Sequence, residues 1–300
     1  MWFKNLRVYK LTEAISAEVD LSNVLAEYHF NPCGSLDPKR YGFVPPIPNR
    51  IAFTHKVFGF TMFCARLEEK LLPSAAINAQ LEEKARAIGE AESRPVGRKE
   101  RQTLRDELIF SMLPKAFSKF TLDYAYIDHK GGFIVVNSSS AKRAEDLLSK
   151  LREALGSLRC IPITVKNLPS QVMTSWLQGG KLLENFVLGE NIELKAGKDG
   201  RVVRAKKQDL TANEVLAHIN SGMYVSKLAL TWREGIHFVL DDTLAIKSVK
   251  FDDVISEKSN DRNPESKPEQ FDADFCVMTA QLTPFINELI AAFGGETDPV

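Results

Sequence analysis

The chain has 300 residues, 44% hydrophobic and 26% charged, with 39 basic residues balanced by 39 acidic ones. That length and apolar content can bury substantial cores and suggest two domains, while a formal charge of zero excludes a globally basic or acidic protein, so any positive surface must come from local clustering. No charged start with a following apolar stretch opens the chain, and no uninterrupted apolar run reaches about 18 residues, so neither export nor membrane spanning is supported and a cytoplasmic protein is expected.

In chain order, WFKNLRVYKL reads as an opening strand and residues 16 to 28 as a helix. Asn31-Pro32, Gly34, Pro38, Gly42, Pro45, Pro46 and Pro48 make 31 to 49 an ordered loop. VFGFTMFCARL, 57 to 67, is a strand by its Val and Phe content. From Pro73 the composition turns to Ala, Leu, Glu and Lys, predicting helices over 74 to 88 and 99 to 112 around a charged break, an αα-hairpin. TLDYAYID and FIVVNSS, separated by His129-Lys130-Gly131-Gly132, predict a β-hairpin, so the helical pair is expected as a lobe inserted between strands.

AKRAEDLLSKLREALG, 141 to 156, is amphipathic: Ala144, Leu147, Leu148, Leu151 and Leu155 share a face, and Gly156 ends the helix. Residues 201 to 208 predict a strand, and Thr211 with Glu214 a capping box opening a helix. Three strands spanning 223 to 251 form a meander, 256 to 270 lacks apolar residues and reads as a mobile loop, and DFCVMT is a short strand before a last helix striped by Leu282, Phe285, Ile286, Leu289 and Phe293. Strands and helices mix without a βαβ rhythm, which predicts an α+β fold with antiparallel sheets.

Catalytic patterns are sparse. Gly179-Gly180-Lys181 lacks the Walker spacing, and no H-E-x-x-H, G-x-S-x-G or G-x-G-x-x-G occurs. The five histidines stand far apart and are read as structural. Cys33, Cys64, Cys160 and Cys276 are scattered and read as buried free thiols, so no metal site and no cofactor are expected. One enzymatic alternative remains, a Mg²⁺-dependent nuclease built on Glu193, Lys195 and the neighbouring Asp241 and Asp242, because such enzymes need carboxylates for the metal and a lysine near the attacked phosphate.

Positive charge does cluster. Arg201, Arg204, Lys206 and Lys207 fall within seven residues, and at strand spacing Arg204, Lys206 and Gln208 point one way while Val203 and Ala205 point the other. This cationic comb on an apolar backing suits a polyanion such as nucleic acid, although a charged edge strand can also serve only to discourage edge-to-edge pairing. Arg94, Arg98, Lys99 and Arg101, with Lys84 and Arg86 just before them, form a second cluster at the break between the predicted helices. Phe117 and Phe120, at helical spacing after Pro114 and interleaved with Lys115 and Lys119, are candidates for a core, for insertion into a partner's pocket or for stacking on bases.

Nine segments, WFKNLRVYKL, NPCGS, VPP, ARLEEKLLPS, LPKAFSKF, AKRAEDLLSKLREALGSL, VVRAKKQDLT, SKLALTW and FDADF, follow one another along nearly the whole chain and together resemble the RdgC family of recombination-associated proteins of proteobacteria. The resemblance implies a non-enzymatic, nucleoid-associated protein that binds double-stranded DNA with little sequence preference, with single-stranded DNA as a second candidate partner, and that restrains the RecA recombinase by occupying DNA. It implies a horseshoe-shaped monomer: a centre of residues 1–73 and 121–168, a helical tip of 74–120 and a base of 169–300. Two copies would close head-to-head and tail-to-tail around a positive hole. By the same similarity, Phe117 in the L-P-x-A-F segment serves tip-to-tip closure beside Phe120. Lys206, Lys207 and Gln208 face the hole, whereas the basic residues from 94 to 101 match less directly.

Overall fold

The computed structural model describes residues 1–16, 19–197, 199–262 and 264–297. Its first sheet contains β1 (Arg7–Leu11), β2 (Lys39–Val44), β3 (Thr54–Val57), β4 (Phe60–Lys70), β5 (Ser118–Asp128), β6 (Phe133–Val136) and β7 (Cys160–Pro162), paired antiparallel in the order β2-β4-β5-β6-β1-β7. β3 lies end to end with β2 along the same edge of β4. Side chains alternate between two cores, as strand geometry demands. Val8, Met62, Tyr126, Phe133 and Val135 enter one; Tyr9, Phe63, Ala65, Ala125, Ile127, Ile134 and Val136 enter the other. The second core also takes Leu21 and Leu25 of α1 (Leu21–Glu27), a helix shorter than the expected 16 to 28 because Asp20 caps it by accepting from the Ser22 and Asn23 amides. Residues 17 and 18 of that expected helix lie outside the described residues.

Several expectations for the first half need correction. The opening strand begins only at Arg7; Phe3 and Leu6 are fully buried ahead of it, and Leu6 bridges to Ile246. The expected strand over 57 to 67 is a hairpin, with Phe58 and Gly59 at positive φ turning β3 into β4. The expected loop 31 to 49 contains β2, because Gly42 lets the backbone of residues 29 and 30 approach so closely that a Cβ there would stand 2.5 Å from Phe30 Cα. β4 and β5 stay paired to Lys70–Ser118, with β2 along the other edge of β4 as far as Glu69. Between them run α2 (Ser74–Glu92) and α3 (Arg98–Met112), which bury Ile77, Leu81, Ala85 and Leu108, followed by one 3₁₀ turn, Leu113–Lys115. Phe117 and Phe120 are therefore not in helix: Pro114 stands in the turn and Phe120 lies in β5.

The expected helix at 141 to 156 is α4 (Ala141–Leu155), capped by Ser140 and ended at Gly156 with φ 74°; it lays Ala144, Leu147, Leu148 and Leu151 on the second core. A helix and a strand that had not been expected come next, α5 (Pro169–Leu177) and β8 (Phe186–Ala196). With β8, the strands β9 (Val202–Lys206), β10 (Met223–Trp232), β11 (Ile236–Asp241) and β12 (Ile246–Phe251) form a second antiparallel sheet in the order β12-β11-β10-β8-β9, with α6 (Asn213–Asn220) between β9 and β10. The predicted meander is its β10-β11-β12 portion.

The stretch 256 to 270 is not a loop throughout. α7 (Asp253–Glu257) is held by buried Ile255, a 3₁₀ turn covers Asn260–Arg262, and Ser266 caps α8 (Lys267–Ala292) by accepting from the Glu269 amide. The expected strand DFCVMT lies inside α8, where Phe275, Met278, Leu282, Phe285 and Ile286 follow helical spacing into the first core. α8 is long and apolar enough to cross a membrane. Here it links the sheets: Phe275 packs on Tyr126, and Phe285 on Trp232 and Phe238. The fold is α+β with two antiparallel sheets. Cys64 and Cys276 are buried, but Cys33 and Cys160 only partly so.

Candidate nucleic-acid interface

The basic comb sits on β9, an edge strand whose partner is β8. Val203 and Ala205 pack against the core, which anchors the strand and turns Arg204 and Lys206 outward. At Lys207 the backbone adopts a left-handed φ of 53° and the alternation stops. Gln208 therefore lies beyond the strand rather than on the Arg204 face, its N–H donating to the Glu190 carbonyl at 3.2 Å, while the Lys207 N–H donates to Asn191 Oδ1 at 3.3 Å. The expected capping box does not form. Thr211 instead donates its amide and hydroxyl to Asp209, and α6 starts at Asn213 with no side-chain cap. Arg201, ahead of the strand, pairs with Asp199 at 2.5 Å.

Arg204 faces Glu193 of β8 and donates from Nε to Oε2 at 2.7 Å. Glu193 also accepts from Lys227 Nζ at 3.0 Å and from Ser226 Oγ at 3.0 Å, both on β10. Burial works against ionisation of Glu193, yet these three hydrogen bonds hold its pKa at about 2 against an ordinary 4.5. Lys227 in turn faces Asp241 of β11, which binds Lys247 of β12 at 2.6 Å and accepts from the amides of Thr243 and Ala245. Lys247, Thr243 and Ala245 keep Asp241 ionised at lower pH than usual, although burial again opposes it. Lys195 stands 3.9 Å from Asp242. Lys227 and Lys247 were not singled out from the sequence; period-two alternation within 223–232 and 246–251 is the only signal they leave there.

The nuclease residues thus do gather on one sheet face, but Glu193 and Asp241 are each already bound to lysine or arginine. Among the described residues no three His, Cys, Asp or Glu side chains converge at metal-binding distance.

Half of the second basic cluster is neutralised within the lobe. Arg94 binds Glu100 at 2.7 Å and Glu92 at 2.6 Å, and Arg101 pairs with Glu82. Arg98 and Lys99 are exposed at the start of α3. At the lobe's root, Phe117 is 84% exposed and Phe120 57%, beside exposed Leu71 and Leu122. The Phe117 carbonyl accepts from the Leu71 amide at 2.7 Å, so the backbone is fixed while the ring projects. Neither phenylalanine is core.

Residues 1–296 match the family described as "Putative exonuclease, RdgC". The chain is 42% identical over 299 residues, 99% of each sequence, to the "Recombination-associated protein RdgC" of Yersinia enterocolitica serotype O:8 / biotype 1B, and equally to that of Yersinia pestis strain Pestoides F. A match of this extent, covering β9, the lobe root and α8 alike, shows that the chain belongs to the RdgC family.

Proposed function

We propose that this protein binds duplex DNA without sequence preference, as a ring-shaped homodimer, and restrains RecA-mediated recombination by occupying the DNA. The observation that carries the reading is the seating of Arg204 and Lys206, exposed at the edge of the second sheet on a strand pinned by Val203 and Ala205, with Lys207 just beyond its end and the neighbouring carboxylate Glu193 buried beneath. Dispersed lysines and arginines on a strand meet phosphates and position a duplex without reading bases. Gln208 beside them and the exposed Arg98 and Lys99 extend the proposed contact, with Arg201, Arg94 and Arg101 weakened by their own ion pairs.

Closure of the ring is assigned to the projecting Phe117 with Phe120, since a large aromatic held on a rigid backbone and left exposed suits an anchor in a partner's pocket. A second contact, at the base, is needed to close a dimer into a ring. In this reading residues 1–73 with 121–168 form the centre of a horseshoe, 74–120 its tip and 169–300 its base, and the protein works on the cytoplasmic nucleoid.

Hydrolysis is the second reading, favoured by the description of the matched family and by the gathering of Glu193, Lys195, Asp241 and Asp242. One experiment addresses both. Duplexes of unrelated sequence are titrated with protein across a salt series, with and without Mg²⁺. The DNA-binding reading expects equal shifts on all sequences that weaken steeply with salt, and intact DNA. Cleavage lost on EDTA addition and in Glu193→Ala would establish a nuclease, and no shift at low salt would reject DNA binding.

A further inference from the structure

One row of alternating charge crosses the whole second sheet: Arg204 on β9, Glu193 on β8, Lys227 on β10, Asp241 on β11 and Lys247 on β12. Its members differ in depth. The carboxylates are sunk, with side chains 6% exposed at Glu193 and 7% at Asp241, while Arg204, Lys227 and Lys247 reach 65%, 37% and 27%. Three cations therefore stand above two buried anions, and the field over the face is positive although the row is nearly neutral. Long lysine and arginine side chains reach outward past shorter carboxylates, and here that places all three cations on the solvent side of one face.

The spacing suits a linear polyanion. With strands about 4.8 Å apart, the row spans about 19 Å and repeats a cation roughly every 10 Å. A duplex carries about 11 phosphate charges over that length. The row is also continuous with the comb, since Arg204 belongs to both.

We infer that this row is a phosphate-binding surface, in which buried Glu193 and Asp241 seat Lys227 and Lys247 beside Arg204, so that the DNA contact runs from the edge strand across all five strands. The inference rests on the DNA-binding reading above and adds Lys227 and Lys247 to its contacts. Holding each ammonium in place before binding removes part of the ordering cost of gripping a backbone.

The test uses full-length protein, two short duplexes of unrelated sequence and a salt series. Replacing a cation together with its carboxylate, as Asp241→Asn with Lys247→Gln or Glu193→Gln with Lys227→Gln, leaves net charge unchanged and strands no buried ion. Each double variant is expected to lower the log K against log salt slope by about 0.9, which narrows the affinity ratio between about 50 and 200 mM salt by roughly 3.5-fold, equally on both sequences. If either pair lowers the melting temperature, Lys227→Gln alone is measured beside it, with the same slope change expected. Wild-type slopes in these variants, with a reduced slope in Arg204→Ala/Lys206→Ala, would overturn the inference and confine the contact to β9. Wild-type slopes in all of them would overturn the β9 assignment as well, and absence of any shift by the unaltered protein would overturn DNA binding itself.

Discussion

At the scale of single residues, Glu193 and Phe117 make opposite predictions about stability. Glu193 is buried and ionised, its pKa depressed from 4.5 to about 2 in the folded state. A depressed carboxylate contributes stability that is fully present above its unfolded pKa and is lost as pH falls through the folded one. The protein should therefore lose stability between about pH 4.5 and 2, and Glu193→Gln should flatten that part of the profile while lying below the unaltered protein near neutrality. Urea midpoints across a pH series measure this; an unchanged acid slope in the variant would assign the loss to other carboxylates. Phe117, at 84% exposure, supports no core. Phe117→Ala should leave the fold's stability within about 0.5 kcal/mol and, if two copies close through this residue as proposed, weaken their association by on the order of 2 to 4 kcal/mol, read by sedimentation. A melting temperature several degrees lower would show that the ring packs within its own subunit.

At the scale of elements, β2 shows how one residue decides whether a strand can form. Proline and glycine dominate 31 to 49, but Gly42 is what lets Phe30 hydrogen-bond to Phe43 across a backbone approach too close for a side chain. Gly42→Ala should cost about 1 to 3 kcal/mol, as overpacking does, and should show in thermal unfolding with DNA binding retained after correction for folded fraction. A variant as stable as the parent would mean residues 29 and 30 shift freely. β2 and the first half of α8 depart from expectation for related reasons, whereas the striped second half of α8 is the helix expected. Turn-forming residues mark loops only when nothing packs against them, and a short apolar run such as DFCVMT is strand or helix according to its neighbours. The long α4 was legible by its amphipathic stripe, and the helical pair by a run of strong helix formers on either side of a charged break.

At the scale of the whole molecule, neutrality and local positive charge coexist because, along the row from Arg204 to Lys247, the acids lie below the bases. If two copies close around DNA, escape depends on the ends. Once salt screens the phosphate contacts, a surface binder leaves linear and nicked circular DNA of equal length at similar rates, whereas a ring should persist on the circle. Phe117→Ala should abolish that difference while leaving low-salt binding largely intact, because the β9 cations are untouched. Dissociation under competitor challenge on both substrates measures it. Equal off-rates at every salt concentration would place this protein on DNA rather than around it.

The sequence by itself determined the α+β class, the family, the apolar face of α4 and the outward turn of Arg204 and Lys206, because each follows from local periodicity or from many matched segments at once. Exposure of Phe117, neutralisation of Arg94 and Arg101, and the row from Arg204 to Lys247 were decided only by tertiary structure. Lys227 lies 34 residues from Glu193, and strand pairing alone brings them together. Period two shows which side of a strand a charge takes, but not which charge waits on the strand beside it.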